Sequence, residues 1–167
     1  MPLVLRNFRP EDEAVAVDAH RAFARENFTF LLGYRDDMSW EEWIQDQERI
    51  RTSTDLPSDW VRSAFLAAEV DRSLVGRVSI RFELNEWLAR YGGHIGYGVL
   101  PAYRQRGYAT EILRQAIVIA REEGIDRILL ICDLENTGSA SVIERCGGAF
   151  EGLAVAEDGK EIRRYWI

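Results

Sequence analysis

Three observations predict an α/β fold for this 167-residue chain, a mixed sheet with helices on both faces. Leu74, Gly76, Val78, Ile80 and Phe82 alternate with Val75, Arg77, Ser79 and Arg81, the two-residue period of a strand. From Gly107 onward, Ala109, Ile112, Leu113, Ala116, Ile117 and Ala120 recur three and four apart, the period of a helix that buries one stripe. Arg127-Ile128-Leu129-Leu130-Ile131-Cys132 is short and almost wholly apolar, as expected of a central strand covered on both faces.

The remaining elements follow in order. Leu3-Val4-Leu5-Arg6 reads as a first strand, and Arg9-Pro10-Glu11-Asp12-Glu13 as the acidic opening of a helix running to about Glu26. An aromatic-rich loop containing Phe28, Phe30 and Tyr34 leads to a second helix from Trp40 to about Arg51, and Pro57-Ser58 breaks the chain. Ala64 to Val70 is strand-like, and the turn signal Asp71-Arg72-Ser73 joins it to the alternating strand as an antiparallel hairpin. Beyond a loop at Asn85-Glu86-Trp87, Gly93 to Val99 forms another strand whose glycines point to a bulge or to a ligand lying close to the backbone. Gly124 is placed to end the periodic helix. Asn136-Thr137 caps a short helix through Arg145, and the tail from Ala149 to Ile167 closes as a hairpin around Asp158-Gly159. The order is βααβββαβαββ.

Length and composition, 47% hydrophobic and 29% charged, fit one domain spanning residues 1–167. The apolar stretch before Arg6 is too short for a secretory signal or a membrane span, so a cytoplasmic protein is expected. Cys132 and Cys146 lack metal-ligand spacing, which argues for buried structural thiols and for neither a metal site nor a disulfide framework. The net charge of −7 disfavours nucleic acid and anionic membranes as partners and suits a cationic substrate.

Arg104-Gln105-Arg106-Gly107-Tyr108-Ala109 joins the strand ending near Pro101 to the periodic helix. Glycine lets a backbone approach an anion, the first unpaired N–H groups of a helix and its dipole supply positive potential, and the two arginines add formal charge. Competing phosphate motifs are excluded: Gly96-x-Gly98 lacks the third glycine of the dinucleotide fingerprint, and no Gly-Lys-Ser/Thr occurs.

The spacing R-x-x-G-x-A, followed by Thr110-Glu111, resembles the pyrophosphate-binding loop of the GNAT N-acetyltransferases. A second block, Asn136 to Gly147, is similar to that family's N-x-x-S-x-x-x-I/L-E-K/R-x-G segment, and with Ile95-Gly96-Tyr97 the chain looks most like the branch that includes ribosomal-protein N-terminal acetyltransferases. The resemblance covers about Val75 to Gly152. It implies a mostly antiparallel sheet with one parallel pair, whose strands splay to admit the pantetheine arm of acetyl-coenzyme A. It also implies coenzyme contacts from Val99, Leu100, Arg104, Gln105, Arg106, Gly107, Tyr108, Ala109, Thr110, Asn136 and Ser139.

Acetyl transfer to an amine needs a neutral amine, a polarised thioester carbonyl and a stabilised leaving thiolate. Backbone N–H groups on a bulged strand suffice for the carbonyl. Many family members place a thiolate-protonating tyrosine seven residues after the motif asparagine, where this chain has Ile143. The resemblance therefore makes Ser139 the candidate proton donor, beside its ordinary reading as a helix-start serine, just as Asn136 also reads as a plain cap. His94 stands where the branch often carries a glutamate that relays the amine proton; its ordinary pKa of about 6.5 suits a base, and a hydrogen-bonded strand histidine is the alternative. Tyr97 and Tyr103 are weaker acid candidates.

For the acceptor, the resemblance points to the first two helices and their loop, with Phe28 and Tyr34, and to the strand-connecting loop with Glu86 and Trp87. Aromatics beside Asp36, Asp37, Glu41 and Glu42 suit a cationic amine; a core stripe next to a solvated acidic face is the other reading. The expected partners are a small-molecule or peptide amine and, as one option, a second copy of the chain in a homodimer. Three functions fit: acetyl transfer to an amine, transfer of a longer acyl group, and non-catalytic acyl-coenzyme binding.

Overall fold

The computed structural model describes residues 2–167 and carries the expected order of elements. Strand β1 (Val4–Arg6) leads through a 3-10 turn at Pro10–Asp12 into helix α1 (Glu13–Ala24). Helix α2 (Trp40–Thr52) starts at a capping box, in which Ser39 Oγ accepts from the Glu42 N–H at 3.1 Å and Glu42 in turn accepts from the Ser39 N–H. Strands β2 (Ser63–Val70) and β3 (Ser73–Arg81) form a hairpin whose turn residues Asp71 and Arg72 both take positive φ, 48° and 64°, matching the right-handed twist of the strands they join. Strand β4 (Ile95–Val99), helix α3 (Tyr108–Glu122), strand β5 (Leu129–Asp133), helix α4 (Thr137–Arg145) and the hairpin β6 (Ala149–Val155) and β7 (Glu161–Trp166) complete the chain.

All ladders among the described residues are antiparallel, and they fall into two sheets, β1-β2-β3-β4 and β5-β7-β6. The parallel pair implied by the resemblance is reduced to a junction. The His94 N–H donates to the Leu129 carbonyl at 2.8 Å at the start of β4 and β5, and no ladder among the described residues continues from it. Gly93 makes that approach possible: a Cβ there would stand 2.6 Å from the Leu129 carbonyl oxygen, and its φ of 69° is unfavourable to any other residue. The run at 128–132 accordingly lies at the edge of its own sheet, yet Ile128, Leu129 and Leu130 are buried, Ile128 and Leu130 in the cluster that β4 and α3 share.

Two apolar clusters lie on opposite faces of the four-stranded sheet. Ala64, Leu66 and Ala68 of β2 and Val78 and Ile80 of β3 meet the α3 stripe Ile112, Leu113, Ala116, Ile117 and Ala120. Phe65 and Ala67 turn the other way, onto Trp40 and Trp43 of α2 and Ala16, Val17, Ala19 and Phe23 of α1. One irregularity re-phases β3: Ala68 pairs with Gly76 and Glu69 with Leu74, so Val75 bulges. Leu74 therefore joins the α1–α2 cluster, and Val75 joins the α3 cluster.

Candidate active site

The turn before α3 has the form of an anion cradle. Gln105 (φ 60°) and Gly107 (φ 82°) are both left-handed, Gly107 is the N-cap of α3, and no side chain caps the helix. The N–H groups of Tyr108, Ala109 and Thr110 thus open the helix unpaired by a cap, and a Cβ at Gly107 would meet nothing within 4 Å. The two arginines differ. Arg104 folds back, donating from Nε to the Val99 carbonyl at 3.1 Å and from Nη2 to Glu26 at 3.0 Å, whereas Arg106 lies over the Tyr103 ring and has no carboxylate partner among the described residues.

Along β4 the backbone groups alternate between its two edges. The His94 carbonyl accepts from the Arg81 N–H and the Leu100 N–H donates to Val75 on the β3 side, while the Val99 carbonyl faces away and takes Arg104. Ile95, Tyr97 and Val99 therefore turn their backbone toward the gap beside β5.

His94 sits at the closed end of that gap, 6% exposed. Its Nδ1 accepts from the Leu129 N–H at 2.9 Å, which leaves the ring proton on Nε2. Burial first, and then the nearby Arg81, push its pKa below the ordinary histidine value. To act as a base, the imidazole would have to take the proton at Nδ1, and so would first have to surrender the bond from Leu129. His20 is held in the same way, accepting from the Leu31 N–H at 3.1 Å.

At the far side of the gap, the Tyr97 hydroxyl and Ser139 Oγ lie 2.7 Å apart and tie β4 to α4. Burial raises the Tyr97 pKa and keeps the phenol protonated, so this pair can pass a proton in either direction. Asn136 Oδ1 caps α4 by accepting the Ser139 N–H at 3.1 Å, which fixes the serine and leaves the amide NH₂ without an acceptor among the described residues. Both thiols are raised by burial, Cys132 to about 11, which makes them poor nucleophiles.

The α1–α2 face of the sheet holds a cavity of about 210 Å³, with apolar walls from Ile50, Trp60, Phe65 and Leu88 and polar contributions from Ser79 and Arg81. Read from alternation alone, Arg77, Ser79 and Arg81 are only the polar side of a strand; in the structure Arg77 is 3% and Ser79 2% exposed. The signal for this lay in the helices expected on both faces, since polar alternates beneath a helix are enclosed. Arg77 donates to the carbonyls of Thr29, Phe30 and Gly96 and lies 4.6 Å from the Phe28 ring centre. Of the expected acceptor residues, Phe28 covers Arg77, Tyr34 packs on His20 and Trp40, Glu86 pairs with Arg90, and Trp87 is half-exposed against Tyr91. None of the four lines the cavity. Asp36 meets Arg21 at 4.0 Å and Asp37 accepts from Arg35 at 3.1 Å, all four exposed, and Glu42 caps α2.

The strand pair is held at one end and flanked by the uncapped start of α3, an arrangement whose form suits a long ligand with an anionic end. The family profile of the acetyltransferase (GNAT) domain matches residues 2–149, and the chain belongs to that family, whose members use acetyl-coenzyme A. No curated protein matches it. The GNAT acetyltransferase from Streptococcus pneumoniae is 20% identical, with a TM-score of 0.69 over 99% of this chain and 98% of that one. Mycobacterium smegmatis RimJ in complex with CoA-disulfide is 21% identical, with a TM-score of 0.71 over 99% and 81%. A spermidine N-acetyltransferase SpeG chimera from Vibrio cholerae and hSSAT is 17% identical, with a TM-score of 0.68 over 100% and 95%. These likenesses establish the fold. No helix among the described residues is long and apolar enough to cross a membrane, and no group of three or more potential metal ligands occurs among them.

Proposed function

We propose that the chain transfers an acetyl group from acetyl-coenzyme A to a primary amine of a small molecule or peptide by direct attack on the thioester. The observation that carries this reading is the one-ended strand pair with the Ser139–Tyr97 hydroxyls across it. The unpaired N–H groups of α3 and Arg106 hold the pyrophosphate, while the inward-turned backbone at Ile95, Tyr97 and Val99 and the Asn136 amide hold the arm.

In the transfer, the amine nitrogen bonds to the carbonyl carbon, the C–S bond breaks, and the nitrogen gives up one proton while the thiolate takes one. Ser139 supplies the thiolate's proton and recovers it from Tyr97, which is reprotonated in turn from the water that takes up the amine proton, a relay that does the work of the tyrosine replaced by Ile143. His94 acts as the clasp of the strand junction in this scheme, because its accepting nitrogen is engaged by Leu129. The amine proton leaves through water.

The test is release of free thiol from acetyl-coenzyme A across a panel of amines, with products identified by mass. Acetylated product with stoichiometric thiol is expected. Tight coenzyme binding without thiol release for any amine would make the chain a binding module instead.

A further inference from the structure

Arg77 and Arg81 bring two guanidinium groups to one spot. A Cβ built on Gly96 would lie 3.6 Å from Nη1 of Arg81 and 3.9 Å from Nη1 of Arg77. Neither arginine has a carboxylate partner among the described residues, and no acidic side chain lines the adjoining cavity. Enclosed charge of one sign without a counter-charge is costly, and it persists where something else answers it.

For Arg77 that answer is internal, since three carbonyls and the Phe28 ring take up its fork. Arg81 is different. Only its Nη1 is used, in two long bonds of 3.3 Å to the Gly92 and Gly93 carbonyls. Its Nε and Nη2 have no acceptor among the described residues, and since no fully buried side-chain nitrogen there is without a partner, these atoms are not sealed off; Arg81 itself lines the cavity.

We infer that the acceptor is a small amine that also carries a carboxylate, seated with the carboxylate on the free edge of Arg81 and its apolar portion against Ile50, Trp60 and Leu88. A guanidinium edge matches a carboxylate through two parallel N–H···O bonds. The cavity's 210 Å³ falls below the range of about 300–1,000 Å³ usual for drug-sized ligands, which favours a molecule the size of a single amino acid. Ser79, in its wall, pairs with Gly96 across β3 and β4, so a ligand held there lies one strand from the gap where the thioester would sit. Such an acceptor is zwitterionic, so its ammonium agrees with the cationic amine suggested by composition, and its carboxylate adds the recognised group.

This inference rests on the acetyl-transfer reading, and the experiment separates the two. Thiol release is measured with leucine and phenylalanine, with isopentylamine and phenethylamine as the matching amines without the carboxylate, and with the aminophosphonic analogue of leucine. Wild-type protein should favour the carboxylate-bearing member of each pair at least tenfold in kcat/KM. In Arg81→Met that ratio should fall to near unity, through a rise of about 10- to 100-fold in the KM for the amino acid, the range for losing a hydrogen bond to a charged group. Arg81→Lys should recover part of it. Acetyl-coenzyme A affinity, followed by calorimetry, reports that each variant is folded. Equal use of both members by wild type, an equal loss on both in Arg81→Met, or a preference for the phosphonate would overturn the carboxylate assignment. If no amine is turned over, calorimetric binding of leucine that depends on Arg81 upholds the pocket while the transfer reading falls; absence of such binding sinks both.

Discussion

The two faces of strand β3 are built on opposite terms. Toward α3, Val78 and Ile80 pack on Ile112 and Leu113 in a core with no charged member. Toward α1 and α2, the same strand presents Arg77 and Ser79, both buried, and Arg81 at the cavity wall; carbonyls and an aromatic ring answer the Arg77 charge, and two carbonyls take one nitrogen of Arg81. The first face holds the molecule together and fixes the start of α3, where the coenzyme's charge would be met. The second holds polar groups that burial makes costly, and in the reading proposed above it is the side on which the acceptor is selected.

The contrast can be broken first at its stable side. Leu113→Ala should cost about 2–5 kcal/mol of stability, because the side chain is fully buried and a cavity would remain between α3 and the sheet; a chemical-denaturation midpoint measures it. An exposed position should behave otherwise. Gly107→Glu should leave the denaturation midpoint within about 1–2 kcal/mol of wild type, the cost of a left-handed non-glycine residue. It should weaken acetyl-coenzyme A by roughly 5- to 1,000-fold, since two charges 4 Å apart repel by about 1–4 kcal/mol between bulk water and a protein surface. Unchanged affinity in calorimetry would remove the turn at 104–107 from the coenzyme site.

Between the faces lies the hydroxyl pair. Ser139→Ala should lower turnover on the order of 10²-fold with little change in coenzyme affinity, and Tyr97→Phe by less, because the serine keeps its own proton. A wild-type rate in Ser139→Ala, with chemistry shown to be rate-limiting, would return the serine to a capping role.

The smallest effect concerns pH. Both histidines are held below their ordinary pKa, so the unfolded chain binds protons first as pH falls; the stabilisation is complete above about pH 6.5 and declines below it, by at most about 1.4 kcal/mol per pH unit for each histidine. His94→Gln, whose amide oxygen can still accept from Leu129, should remove one of the two contributions and flatten the curve below about pH 6.5. Asp12 acts in a separate window. Burial opposes its ionisation, but bonds from Arg6 and the Arg9 N–H outweigh that and hold it below the usual carboxylate range, so its contribution is lost only below about pH 4. A pH–rate profile of His94→Gln that matches wild type apart from a constant factor supports the clasp; a loss confined to neutral pH would restore His94 as the base.

What the sequence made legible was whatever depends on local period and turn chemistry. The α3 stripe, the Asn136 cap and the Asp71-Arg72 turn fall where spacing put them, because each is decided within a few residues. The acceptor side was less legible. Asp36, Asp37 and Glu42 suit either a cation site or a solvated acidic face by composition; in the structure Glu42 caps α2 and the other two meet Arg21 and Arg35 at the surface, while Arg77 and Arg81 read as the polar side of a strand, and Arg77 lies buried beneath the loop at 28–30 with Arg81 at the cavity wall. Enclosure is a property of what crosses over a strand, and β3 alone does not record it. The Tyr97–Ser139 pair is likewise invisible to spacing, since 42 residues separate its members.

The bulge at Val75 is where β3 takes up one extra residue. Ala68 faces Gly76 and Glu69 faces Leu74 on either side of it, so removing Val75 would close the ladder into regular pairing and leave Arg77, Ser79 and Arg81 on their own face, whereas removing one residue between Gly76 and Arg81 would turn the side chains beyond the cut to the opposite face. Descendants of this chain can therefore lose or keep a residue at 75, but from 76 to 81 they can change length only in pairs.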